Sequence, residues 1–123
     1  MKKFYARKME ALGPADERST QAMIPVLQEE VVPHALADKG ALAMFFFKSR
    51  RLEADGRTRI FSFTIYDTQE HLKDAMKEAD SQYRFDTLAK LNCEPIDAGE
   101  YEVIAGAVQG NVSFAESDFI PVG

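Results

Sequence analysis

The chain lacks tryptophan altogether and carries one cysteine and two histidines among its 123 residues. A single thiol, Cys93, excludes an intrachain disulfide. Two histidines, His34 and His71, stand far apart with no spaced Cys or carboxylate partners, so no metal site is expected. There is no Gly-rich phosphate loop and no nucleophile elbow, and therefore no nucleotide cofactor is expected. Positive charge is also scarce: 15 Lys and Arg against 20 Asp and Glu leave a net charge of -5. That balance argues against nucleic-acid binding, which depends on clustered cations that neutralise phosphates. The longest apolar run covers residues 41–47, too short to cross a bilayer as a helix. The N-terminal Met-Lys-Lys-Phe-Tyr-Ala-Arg-Lys leads into no apolar stretch of the kind a secretory signal needs, so a cytoplasmic protein with no membrane partner is expected.

What remains is a halved pattern: strand, helix, strand, repeated once. Residues 3–10 read as a first strand, although Arg7 and Lys8 interrupt its alternation, and Gly13-Pro14 ends it. Residues 15–38 read as a kinked helix, with Met23, Leu27, Val31 and His34 on one face and Pro25 and Pro33 as interruptions. The segment Ala41-Leu-Ala-Met-Phe-Phe-Phe47 opens a second strand over 41–48. Asp55-Gly56 marks a turn into a third strand over 59–66. A helix over 68–91 follows, with Asp67 as its expected cap and Glu70 reaching back to it. A fourth strand is expected over 100–108. Right-handed crossovers turn this order into a ferredoxin-like βαββαβ sandwich, an α+β fold with a four-stranded antiparallel sheet and two helices on one face. The domain would cover residues 1–108, and a tail over 109–123 would pack on it or on a partner.

The second strand is apolar on both sides. Leu42, Met44 and Phe46 serve one face; Ala43, Phe45 and Phe47 serve the other. A half-solvated sheet should alternate apolar with polar residues. Two such sheets packed face to face would bury the surplus in a homodimer, a two-fold barrel.

The stretch Phe61-Ser-Phe-Thr-Ile-Tyr-Asp-Thr-Gln-Glu-His-Leu-Lys-Asp-Ala-Met76 resembles the dimeric α/β-barrel superfamily, and within it the antibiotic-biosynthesis monooxygenases. There an aromatic-rich strand ends at an aromatic residue, followed by an acidic cap and a Glu-containing first turn; Tyr66, Asp67 and Glu70 hold those places. Tyr101-Glu-Val-Ile-Ala105 matches the closing strand, and the resemblance spans roughly residues 3–108. It implies a dimeric barrel and a cofactor-free oxygenase. Such an enzyme removes a proton from a small aromatic or quinol compound and lets the anion react with oxygen. Where relatives carry Trp this chain has Tyr66, and the residue set of the haem-degrading relatives is absent. Other relatives are isomerases or proteins without known activity. A proton-transfer isomerase and a non-catalytic dimeric module binding a small apolar ligand therefore stand as alternatives.

The candidate catalytic residues are His34, as a general base on an apolar helix face, and Tyr66. Ser62 and Thr64 share a strand face with Tyr66 and would bind ligand, together with Phe45 and Phe47 on the neighbouring strand and Arg84 on the second helix. Each also has a plainer reading: satisfied hydroxyls on a sheet, or an imidazole bonded to a backbone carbonyl. Lys48, Arg50, Arg51, Arg57 and Arg59 cluster at the hairpin, where they could draw an anion or simply guard strand edges. Cys93 is read as a bystander and His71 as an exposed first-turn residue.

Overall fold

The computed structural model describes residues 3–77, 79–107 and 109. All but Gln109 of the expected C-terminal tail lies outside them. The order is β1 (Phe4–Leu12), α1 (Glu17–Val26), a π-helical turn (Leu27–Val31), α2 (Val32–Leu36), β2 (Ala41–Leu52), β3 (Thr58–Tyr66), α3 (Gln69–Ala75), α4 (Ala79–Lys90) and β4 (Glu94–Val103). The sheet runs β2-β3-β1-β4, and all neighbouring strands are antiparallel. This is the expected ferredoxin-like α+β fold.

The first helical segment shows how two prolines are absorbed. Asp16 caps α1 by accepting from the Ser19 amide at 2.7 Å. Beyond Pro25 the helix widens into one π turn, and the Val32 amide reaches the Leu27 carbonyl five residues back. Such turns re-aim a helix without ending it. The wider turn keeps Met23, Leu27, Val31 and Ala35 in one buried row. It is Ala35, not His34, that completes the row; His34 is rotated to its edge.

Three further boundaries differ from expectation. The helix expected over 68–91 is two helices, and no Gly or Pro marks the break between them; α3 packs on β1 and β3 while α4 packs on β4. Thr68, not Asp67, caps α3, its hydroxyl accepting from the His71 amide at 3.1 Å. The fourth strand begins earlier, at Glu94. Asn92 takes a positive φ of 59° and the Cys93 amide returns to the Leu88 carbonyl, so the chain reverses at once. Pro95 is accommodated because β4 is an edge strand with a register shift opposite Glu10 and Ala11.

β3 alternates throughout: Thr58, Ile60, Ser62, Thr64 and Tyr66 are buried under the helices, and Phe61, Phe63 and Ile65 face the other way. The main core joins Met9, Met23, Leu27, Val31, Met44, Ile60 and Leu88 between sheet and helices. A smaller cluster gathers Tyr66, Leu72 and Ala75, with Tyr5 packed against it. On the outer face Phe47 stacks on Phe61 at 5.0 Å, and Phe63 meets Phe61 and Tyr101 edge-on at 6.1 and 6.0 Å.

Candidate functional site

The end of β3 delivers Tyr66 to a fully buried position between the sheet and the helices. The turn after α2 brings Asp38 beneath it: the Asp38 amide bonds to the Ala35 carbonyl, and Gly40, at φ +82°, swings the chain into β2. Asp38 accepts from the Tyr66 hydroxyl at 3.3 Å and from Arg84 Nη2 at 3.0 Å. Arg84 Nη2 also lies 3.5 Å from the Tyr66 oxygen. Side-chain exposures of 2% for Arg84 and 8% for Asp38 make this a buried ion pair. Losing the solvation of two charges costs several kcal/mol per ion, recovered only through good geometry and further hydrogen bonds. That recovery is incomplete here. Arg84 Nε and Nη1 are buried with no hydrogen-bond partner among the described residues, and so is Thr64 Oγ1.

Thr64 pairs in register with Arg7 of β1. Arg7, expected to disturb its strand, is buried instead, and its Nη1 donates to the Ala75 carbonyl at 3.4 Å. Burial pushes the Tyr66 phenol upward, with Arg84 opposing. Tyr66 is therefore an O–H donor at neutral pH, suited to stabilising an anion rather than taking a proton.

The ring of His34 stacks on that of Tyr83 with centroids 3.7 Å apart. Ser62 and Thr64 share the inner face of β3 with Tyr66. Phe45 and Phe47 sit on the opposite face of the sheet, so the structure separates them from Tyr66, Ser62, Thr64 and Arg84. Asp38 was not singled out from sequence. Its local signal is an acidic residue between a helix end and a glycine, and Tyr66 and Arg84, which it bonds, are 28 and 46 residues away.

His71 is not the exposed residue expected. Its Nδ1 lies 2.6 Å from Asp67 Oδ1, with the ring 21% exposed. The pair lies over Gly40, where an added Cβ would fall 2.3 Å from both Asp67 Oδ1 and His71 Nδ1. Two of the hairpin cations are clamps: Arg57 donates to the carbonyls of Gly13 and Leu12 and to Glu94, and Arg59 bridges Glu10 and Glu53. Among the described residues no group of three or more His, Cys, Asp or Glu could hold a metal ion, and no helix is long and apolar enough to cross a membrane.

A cavity of about 20 Å³ lies between sheet and helices, and its lining includes Met9, Glu10, Met44, Ser62, Arg84 and Leu88. It has room for about one water molecule. An open cleft of about 290 Å³ lies on the β1–β4 side, lined by Tyr5, Gln69, Leu72, Glu100, Tyr101 and Glu102. Tyr5 and Leu72 form its wall toward the cluster around Tyr66.

Cys93 is a core residue, its Sγ 3.4 Å from Met23 Sδ, and burial pushes its thiol up to about 11 from 9.0. The folded state therefore holds this proton more tightly than the unfolded state. The stability this contributes is complete below pH 9 and is lost as pH rises toward 11, roughly 2–3 kcal/mol at about 1.4 kcal/mol per pH unit. Urea unfolding at pH 8, 9, 10 and 11 should show that decline, and Cys93→Ala should show a shallower one. Tyr66 adds a loss of the same sign above pH 10.

No protein-family model and no curated protein sequence matches the chain. Solved structures do. A dimeric ferredoxin-like protein from an uncultured marine organism superposes with a TM-score of 0.60 at 8% identity, covering 85% of this chain and 99% of its own. The chain has a ferredoxin-like fold. A protein of unknown function from Nitrosomonas europaea aligns with a TM-score of 0.57 at 14% identity, over 90% of this chain and 98% of its own. A cofactor-independent oxygenase from Streptomyces nogalater aligns more loosely, with a TM-score of 0.48 at 7% identity, over 89% and 98%. At these identities the likeness is one of fold and transfers no substrate or reaction.

Proposed function

We propose that this protein is a cofactor-independent oxygenase-like enzyme for a small aromatic or quinol compound, working as a homodimer. The observation that carries the reading is the buried Tyr66–Asp38–Arg84 cluster. Hydrogen-bond donors fixed in a water-poor interior stabilise a developing anion better than water does, because they need no reorganisation. The substrate ring enters the open cleft, and displacement of Tyr5 or Leu72 brings its acidic oxygen or carbon to Tyr66. Tyr66 and Arg84 stabilise the anion once its proton has left, and the electron-rich anion reacts with molecular oxygen. For a methylene flanked by two rings the balance is one O2 consumed, one carbonyl formed and one water released.

Oxygen-electrode traces with a panel of quinols and anthrones test this. Uptake is expected in wild type, falling about 100- to 1000-fold in kcat for Tyr66→Phe. No uptake above the uncatalysed rate with any member of the panel would refute the oxygenase. Turnover that persists anaerobically would assign a proton-transfer isomerase instead.

A second reading, a non-catalytic binding module, is favoured by the size of the inner cavity, which holds about one water while Tyr66 is fully buried. It predicts saturable binding of the same compounds with no turnover.

The dimer has its own support. Phe45, Phe47, Phe61, Phe63 and Tyr101 are partly or largely exposed on the outer sheet face, Phe47 and Tyr101 at 43% and 48%. A contiguous aromatic patch of this kind marks an interaction surface. A sheet face matched to itself by a two-fold axis is the simplest closed cover.

A further inference from the structure

The turn that carries Asp38 is gripped by a second pair of side chains, outside the buried cluster. The Asp38 amide bonds to the Ala35 carbonyl at 3.2 Å, and the Ala41 amide returns to the Asp38 carbonyl at 3.1 Å. Gly40 stands between them at φ +82°, and its carbonyl accepts from the Asp67 amide at 3.0 Å. Asp67 is the residue after Tyr66. Its Oδ1 and His71 Nδ1, 2.6 Å apart, close over Gly40 so tightly that an added Cβ would overlap both. Glycine meets both demands of this position, a left-handed backbone and no side chain.

The pair is not needed to start α3. Thr68 caps that helix, its hydroxyl accepting from the His71 amide. Nor does the pair stand out in solvent, since its side chains are 21% and 27% exposed. What it covers is the backbone two residues past Asp38. The corner from β3 into α3 therefore places two groups at once. Through the strand it delivers Tyr66. Through Asp67, His71 and Gly40 it sets the level of the turn that presents the Asp38 carboxylate. The Tyr66–Asp38 bond is already long at 3.3 Å, so a retreat of the turn by a few tenths of an ångström ends it.

We infer that the His71–Asp67 pair, closed on Gly40, is the positioning element that holds Asp38 against Tyr66 and Arg84. Its consequence for catalysis rests on the reading of Tyr66 proposed above; the positioning itself does not.

The test reads the phenol carbon of Tyr66 by carbon-13 NMR of the tyrosine-labelled full chain at neutral pH. Tyr66→Phe assigns the resonance among the four tyrosines. Donation to a carboxylate moves this carbon downfield, so Asp38→Asn, which leaves a weaker neutral acceptor, should move it upfield. His71→Ala should move it the same way by a smaller amount. His71→Asn, whose amide N–H can replace Nδ1–H toward Asp67, should restore the wild-type position. In an Asp38→Asn background His71→Ala should add nothing, because it acts through Asp38. Far-ultraviolet dichroism checks the fold, and Asp67→Ala removes the same bond if His71→Ala does not fold. An unmoved resonance in the folded alanine variant, or an equal move with and without Asp38→Asn, overturns the inference. Equal moves in His71→Ala and His71→Asn trace the effect to ring packing and overturn it as well. In oxygen-uptake assays on the quinol and anthrone panel, His71→Ala should lower kcat about 10- to 100-fold with KM little changed. A resonance shift without oxygen uptake in wild type removes the oxygenase and keeps the positioning. Oxygen uptake at the wild-type rate in His71→Ala, with an unmoved resonance, does the reverse.

Discussion

Arg84→Met should lower the free energy of unfolding by about 3–5 kcal/mol, a large part of the stability of a domain this size. The substitution leaves the Asp38 carboxylate, 8% exposed, without its guanidinium. In water the charge would cost little, whereas beneath Tyr66 it must protonate or drag solvent inward. The double variant Arg84→Met/Asp38→Leu should regain most of the loss, because exchanging a buried pair for apolar side chains is often close to neutral. Chemical denaturation of wild type, both single variants and the double variant supplies the cycle. A single-variant loss below about 1 kcal/mol would place the pair with exposed surface bridges and sink the account of a buried cluster.

Phe47→Glu should weaken self-association by roughly 30- to 1000-fold in Kd, the 2–4 kcal/mol typical of a central aromatic anchor. Phe47 is 43% exposed in the single chain and stacks on Phe61, so the change places a charge in the middle of the aromatic face without opening the helix-side core. The fold should survive, with an unchanged far-ultraviolet dichroism spectrum. Sedimentation equilibrium over a range of protein concentrations measures the effect. Wild type that sediments as a monomer throughout, or Phe47→Glu that dimerises as tightly as wild type, would rule out this face as the interface.

Much of the architecture was legible in the chain because it rests on local periodicity. The alternation of Phe61, Phe63 and Ile65 against Ile60, Ser62, Thr64 and Tyr66 assigns both faces of β3 from sequence alone. Met23, Leu27 and Val31 likewise mark the buried side of the first helix. Boundaries were less legible where hydrogen bonds between distant or unusual partners decide them. The π turn between the two prolines, the early start of β4 behind Pro95 and the break between α3 and α4 depend on how each segment packs, and propensity carries no record of that.

The candidate site divides the same way. Tyr66, Ser62, Thr64 and Arg84 could be named because each lies on an inward face of a periodic element. Asp38 and Arg7 could not. One is a turn residue that bonds Tyr66 and Arg84 from far along the chain, and the other looks like a break in a strand pattern. By itself the sequence determined the strand and helix order, the absence of any disulfide within the chain, and an apolar surplus on the second strand. Those are properties of composition and of two- and four-residue spacing. Only the tertiary structure decided which polar groups meet beneath the helices and which buried donors go unmatched. A buried charge is settled by neighbours that the fold supplies from tens of residues away.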